Sequence, residues 1–404
     1  MKTVYILATL DTKGVEAAFV RDQLAALNVP AKIVDTGCLG APAVPADISR
    51  QEIFRLAGTL LADMREKNDR GEAVKAAAKG ATALLVDLHA RGDVGGVLGL
   101  GGSAGTIIGT SAMRALPVGV PKVMVSTLAS GTVRQFVGDK DIMMVNSIVD
   151  ILGINRISRP ILTNAARAVA GMVWLPSRPV VADDKPLVAI TMFGVTTKCV
   201  MRAKEQLEKA GYETLVFHAT GNGGQAMETL IADGLVAGVL DLTTTELADE
   251  HCGGFLTAGP ERLCAAGKAG VPQVVSVGAL DMVNFFAPDT VPVKYKSRKF
   301  YQHNPVVTLM RTTPEENAQI GADLGRKVAA AKGPTSILLP KKGLSAIDAA
   351  GQPFDDPEAR QALYAAIREH AKGVEIVEMD QHINDPDFAD TAVRKLLDLM
   401  KAKK

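Results

Sequence analysis

Several glycine- and hydroxyl-rich segments carry the residue types that chemistry needs. The first, Thr9-Leu10-Asp11-Thr12-Lys13-Gly14, follows an apolar run and opens a helical pattern. A helix start exposes unpaired N–H groups and the positive end of the helix dipole, which suits a phosphate or carboxylate, and Lys13 adds a point charge. The same residues also read as a plain cap, with Asp11 or Thr12 capping and Lys13 solvated. The second segment, Gly99-Leu100-Gly101-Gly102-Ser103-Ala104-Gly105-Thr106, has the spacing G-x-G-G-x-x-G and no G-K-[ST], so it is neither a P-loop nor a strict dinucleotide fingerprint. Its glycines permit close backbone approach, and Ser103 and Thr106 supply hydroxyls. Anion binding is favoured over tight strand–helix packing. The third, Ser126-Thr127-Leu128-Ala129-Ser130-Gly131-Thr132, is small and hydroxyl-rich, with Thr127, Ser130 and Gly131 as further contacts. Asp139 and Asp141 follow it. Asp141 is the candidate ligand for Mg²⁺, which takes carboxylate and phosphate oxygens, although such aspartates more often serve turns and caps.

Titratable groups gather further along the chain. His218 ends an apolar run before Ala219-Thr220-Gly221-Asn222-Gly223-Gly224, Glu246 closes Leu242-Thr243-Thr244-Thr245-Glu246, and Asp281 lies in Gly278-Ala279-Leu280-Asp281-Met282-Val283-Asn284. A site that moves protons needs such groups within hydrogen-bond reach, so His218, Glu246 and Asp281 are the candidate catalytic residues, with His303 behind them. The competing reading makes His218 a partner of buried backbone and Glu246 a helix cap. No metal-ligand spacing of His and Cys occurs, which argues against zinc.

These segments need a scaffold that presents them together. Short apolar runs (Val4–Ala8, Ala31–Val34, Gly96–Leu100, Lys122–Ser126) alternate with helical patterns such as Gly14–Leu27 and Glu72–Ala90. That alternation predicts a parallel sheet with helices on both faces, whose ligands lie at the carboxyl ends of the strands. The pattern restarts after Leu175-Pro176-Ser177-Arg178-Pro179, giving lobes 1–178 and 179–404. In the second lobe Leu187–Met192, Glu213–Phe217, Leu235–Asp241, Gln273–Gly278, Val306–Arg311, Thr335–Leu339 and Val374–Glu378 read as strands. Thr313-Pro314-Glu315-Glu316 reads as a capping box. Matches between the halves recur in order, as in Gly119-Val120-Pro121-Lys122-Val123 against Gly270-Val271-Pro272-Gln273-Val274, and favour duplication over convergence. The first lobe carries a mostly helical insertion from Cys38 to about Arg91, a lid or an oligomer contact.

Composition narrows the function classes. Over 404 residues the 45 basic and 44 acidic side chains nearly cancel, which argues against a nucleic-acid binder. No apolar run reaches the ~20 residues of a membrane span. The apolar start meets Asp11 and Lys13 too soon for a signal peptide. The four cysteines form no C-x-x-C, so a reduced, cytoplasmic protein is the simplest reading.

Taken together, Asp11-Thr12-Lys13-Gly14, Gly101–Thr106, His218-Ala219-Thr220-Gly221 with Gly223-Gly224 and Ala226-Met227-Glu228, Leu242–Glu246 and Gly278–Asn284 resemble one family. It comprises largely uncharacterised bacterial and fungal proteins related to the ATP-binding amino-terminal domain of the tomato mosaic virus resistance protein of plants. The resemblance covers essentially the whole chain. It implies two Rossmann-like lobes, ATP with Mg²⁺ on the first lobe, and a homodimer. In plants a TIM-barrel domain follows, which would here be a separate partner protein or absent. Asp11, Thr12, Lys13, Gly101, Gly102, Ser103, Gly105, Thr106, Thr127, Ser130 and Gly131 are the nucleotide-binding candidates by loop position. Two functions are then open: a nucleotide-dependent enzyme acting on a small polar metabolite in the interlobe cleft, with His218 as acid or base, or a nucleotide-gated binding and scaffold protein. A nucleotide-free lyase or isomerase of an anionic metabolite is the third.

Overall fold

The computed structural model describes residues 2–131, 133–174 and 185–402, and the chain divides into units Met1–Ala182 and Asp183–Lys404. The Leu175–Pro179 boundary and Thr132 of the third loop lie outside the described residues.

In unit one the order is β1 (Thr3–Ala8), α1 (Leu10–Ala26), β2 (Ala31–Asp35), α2 (Arg50–Leu56), α3 (Leu61–Lys67), α4 (Arg70–Ala90), β3 (Val94–Gly101), α5 (Ser103–Arg114), β4 (Lys122–Ser126), α6 (Arg134–Val137), β5 (Met143–Asn146) and α7 (Ser158–Trp174). The strands pair in parallel as β2-β1-β3-β4-β5. Alternate side chains of β1 serve opposite cores, which is why its run is apolar throughout. Val4, Ile6 and Ala8 pack with Val20 and Leu24 of α1 and Leu162 and Val169 of α7. Tyr5 and Leu7 pack with Ile53 of α2, Leu84 of α4 and Ile108 of α5. The insertion is therefore part of the core: α2 and α4 cover one face of the sheet. They approach closely at Gly80, where a Cβ would stand 1.9 Å from the Ile53 carbonyl oxygen.

Unit two runs β6 (Leu187–Met192), α8 (Thr197–Lys209), β7 (Glu213–His218), α9 (Asn222–Ala232), β8 (Gly238–Thr243), α10 (Glu246–Cys252), α11 (Ala265–Ala269), β9 (Gln273–Gly278), β10 (Met282–Phe285), β11 (Phe300–Asn304), β12 (Val307–Arg311), α12 (Pro314–Ala329), β13 (Thr335–Pro340), α13 (Pro357–His370), β14 (Glu375–Met379) and α14 (Pro386–Ala402). Its main sheet is parallel, ordered β14-β13-β9-β8-β6-β7. Numbering only the strands of the main sheet in chain order, each begins 2-1-3-4-5, the shared order that duplicated architecture requires. One expectation changes. The Val306–Arg311 run is β12, the centre of a separate antiparallel sheet β10-β12-β11, and not a further parallel strand. The Thr313 hydroxyl accepts from the Glu316 amide at 3.2 Å while Glu316 accepts from the Thr313 amide at 2.9 Å, completing the capping box of α12. Among the described residues no helix is long and apolar enough to cross a membrane.

Candidate functional site

In a doubly wound sheet the crevice opens where the strand order reverses. In unit one this is between β1 and β3, and a cavity of about 640 Å³ lies there. That is the size of a small-molecule site. Thr9, Asp11 and Thr12 line it from the start of α1, and Thr36, Cys38 and Leu39 from the segment after β2. The insertion supplies Met64, Arg65, Asn68, Asp69, Arg70, Ala73 and Val74, and α5 supplies Ala104 and Ile108.

Three helices begin at this cavity, and they differ electrostatically. The first amide of α1, Leu10, donates to Asp35 Oδ1 at 3.1 Å. Asp35 Oδ2 also holds buried Arg50 at 2.6 Å. Asp69 caps α4 by accepting from the Glu72 amide at 3.0 Å. Only α5 starts without an acidic first turn or a side-chain cap. Its first backbone bond runs from the Thr106 amide to the Gly102 carbonyl at 2.9 Å, so the Ser103, Ala104 and Gly105 amides have no acceptor among the described residues. An anion completes such a terminus.

The predicted loop residues divide accordingly. Asp11 sits in the first turn of α1, not in a loop, and its Oδ2 accepts from the Leu39 and Gly40 amides at 3.0 and 3.2 Å. It shapes the cavity wall. Thr12 also lines the cavity, whereas Lys13 does not. A Cβ on Gly101 would come within 2.8 Å of Gly105 Cα, so these two glycines serve strand–helix packing. Gly102 has room, with Thr127 Oγ1 at 3.7 Å from its added Cβ. Ser103, Ser130 and Gly131 are exposed and Thr127 is half-buried. Thr106 is withdrawn from any ligand: it is buried, its hydroxyl meeting the Gly102 carbonyl and Ser126 Oγ, each at 2.7 Å.

Asp141 needs a correction. It lies before β5, at the amino-terminal edge of the sheet and away from the glycine loops. Its Oδ1 accepts from the buried Lys122 ammonium at 2.6 Å and its Oδ2 from the Gly119 amide at 2.8 Å. Among the described residues no group of three or more His, Cys, Asp or Glu side chains is placed to hold a metal ion.

In unit two the equivalent crevice, between β6 and β8, is filled by the protein's own side chains. Arg262, fully buried, meets Asp241 with two nitrogens at 2.6 and 2.7 Å, Glu246 at 2.5 Å and Glu228 at 3.3 Å. Thr191 donates to Asp241 at 2.8 Å, and the Thr196 and Thr243 hydroxyls lie 2.8 Å apart. Glu246 Oε1 also accepts from the Gly221 and Gly224 amides at 2.8 and 3.1 Å. Burial pushes the Glu246 carboxyl above its ordinary range, against the pull of Arg262. Glu246 thus fastens the glycine loop after His218 and is closed to substrate. Asp281 is also fully buried. Its Oδ2 accepts from Ser345 Oγ at 2.8 Å and its Oδ1 has no hydrogen-bond partner among the described residues. Burial and the neighbouring Asp348 raise its pKa. Of the three catalytic candidates only His218 is exposed. Its ring tilts against Phe193 at 5.4 Å, and partial desolvation lowers its pKa. No hydrogen bond joins it to Glu246 or Asp281. Sequence reasoning missed Arg262, Arg65 and Arg70.

The N-terminal domain description of the Uncharacterised protein family (UPF0261) matches residues 2–177, and its C-terminal domain description matches residues 185–400. A UPF0261 protein of Clostridium tetani is 50% identical over 402 residues, 99% of each chain. The ToMV resistance protein Tm-1(GCR237) of Solanum lycopersicum is 43% identical over 337 residues, which is 82% of this chain and 45% of the tomato protein. Among solved structures, UDP-GlcNAc 2-epimerase from Neisseria meningitidis bound to UDP-GlcNAc aligns with 98% of this chain and 100% of that one, at 12% identity and a TM-score of 0.24, too loose to bear on ligands.

Proposed function

This chain belongs to the uncharacterised UPF0261 protein family, and on that footing we propose that unit one is a nucleotide receptor, with ATP as its ligand. The observation that carries this reading is the contrast between the two crevices: that of unit one is open to about 640 Å³ beside an unanswered α5 N-terminus, while that of unit two is occupied by Arg262 and its carboxylates. Leu39, Met64, Val74 and Ile108 offer an apolar wall for a base, and α5 offers amides for phosphate. The residues do not fit a protein-held Mg²⁺: Asp11 and Asp69, the carboxylates on the wall, each have one oxygen on backbone amides, and no group of three acids, His or Cys gathers there among the described residues. Binding without turnover is the better-supported function, because Glu246 and Asp281 are sequestered. Of the partners the resemblance implies, a second copy of the chain is the one retained.

Calorimetric titration with ATP tests this, with ADP formation assayed on the same samples. Micromolar binding without ADP is expected, abolished by Ala104→Trp, which fills the cavity, and little changed by Lys13→Ala. No heat at millimolar ATP would overturn it.

A further inference from the structure

We infer that Arg70, on the rim of the unit-one cavity, reads the number of phosphates on the bound nucleotide. This rests on the nucleotide reading of that cavity and adds to it a specificity-determining residue from the insertion. Arg70 is the first residue of α4, directly after the Asp69 cap. A cation there faces the positive end of its own helix dipole, an unfavourable place for a guanidinium. Arg70 is exposed, lines the cavity, and makes no hydrogen bond or ion pair among the described residues.

A second cation stands beside it. Asn68, in the left-handed conformation at φ 48°, turns the chain sharply from α3 into α4. Arg65 and Arg70 therefore flank one turn and line the same cavity. Arg65 uses Nε on the Cys38 carbonyl at 2.8 Å, which leaves its outer nitrogens free to face an anion. The nearby carboxylates Asp69 and Asp11 accept from backbone amides, and neither forms an ion pair with Arg65 or Arg70 among the described residues. Two guanidinium groups at one turn favour an anion that both can contact.

The cavity thus has two anion-seeking walls, the α5 terminus and the arginine turn, and apolar side chains elsewhere in its lining. A single phosphate is satisfied at α5. A longer polyphosphate reaches the arginines, where planar guanidinium groups pair well with phosphate oxygens. The insertion is then the part of the site that separates nucleotide triphosphates from monophosphates.

The test titrates wild type, Arg70→Ala and Arg70→Lys with ATP, ADP and AMP at fixed ionic strength. Wild type should prefer ATP over AMP by about tenfold or more, and Arg70→Ala should reduce that ratio to about threefold or less with AMP affinity held within about twofold. Arg70→Lys should fall between. An unchanged ATP/AMP ratio in Arg70→Ala, or an equal loss for both ligands, would overturn the inference while leaving nucleotide binding intact. Failure of wild type to bind any of the three would overturn the underlying reading as well.

Discussion

Arg262 and Asp241 meet as a two-pronged pair in the interior of unit two, Nη1 to Oδ2 at 2.6 Å and Nη2 to Oδ1 at 2.7 Å, and the same guanidinium reaches Glu246 and Glu228. Removing it strands carboxylates that water cannot reach. Arg262→Met should cost about 3–5 kcal/mol, read as a lower urea midpoint. Arg262→Lys should recover little, since an ammonium is a point charge without the planar fork. A midpoint within experimental error of wild type would show that the cluster adds nothing to stability.

Asp249 predicts a pH dependence. It is fully buried on α10 and accepts from the Asn284 amide at 2.9 Å and Asn284 Nδ2 at 2.7 Å, yet burial pushes its pKa up to about 7. An unfolded aspartate titrates near 3.9, so the fold favours the neutral acid. The group costs nothing below about pH 4, penalises folding progressively between about 4 and 7, and levels off above. Asp249→Asn keeps the neutral form at every pH, and a flipped Asn284 can turn its unpartnered Oδ1 to the new amide. Urea midpoints at pH 5 and pH 8 should differ less in the variant than in wild type. An equal difference would remove Asp249 from the account.

Asp141→Asn separates an ion pair from a metal site. Buried Lys122 keeps the Pro117 and Val120 carbonyls at 2.7 and 2.9 Å, while its ion pair with Asp141 becomes a contact with a neutral amide. Because Asp141 is partly exposed, the loss should be about 1–2 kcal/mol. ATP affinity in Mg²⁺ should be unchanged. A fall in Mg²⁺-dependent affinity would restore the aspartate as a ligand.

Gly80→Ala addresses the insertion. Its Cβ would collide with the Ile53 carbonyl oxygen at 1.9 Å, and that oxygen is backbone. A loss of about 1–3 kcal/mol is expected by thermal or urea unfolding, despite the better helix propensity of Ala. A stabilised variant would mean that α2 and α4 are not packed as described.

The apolar runs made most parallel strands legible, because a strand buried on both faces must be apolar throughout. β4, β6 and β9 coincide with their predicted runs residue for residue. Strand direction is not written in such a run, so β12 passed as one more parallel strand. Met282–Phe285 is too short, with Asn284 inside it, to stand out from a loop. At the sites, residue type identified acids but not their partners. Glu246 could equally have faced solvent, and Arg262, sixteen positions on, shows no local spacing that ties it to Asp241. Arg70 did leave a signal: a cation immediately after an Asp cap, with no acid three or four residues ahead to pair with it.

The contact at Gly80 has a mechanical side. Gly80 is ten positions along α4 from Arg70, about 15 Å at the helical rise. With α4 pressed backbone-to-backbone on α2 at that point, the helix is a stiff lever and Ile53 its fulcrum. Tipping it by about 4° would swing the guanidinium end by about 1 Å. The place of the Arg70 guanidinium at one end is geared to the fit of a single missing methyl group at the other.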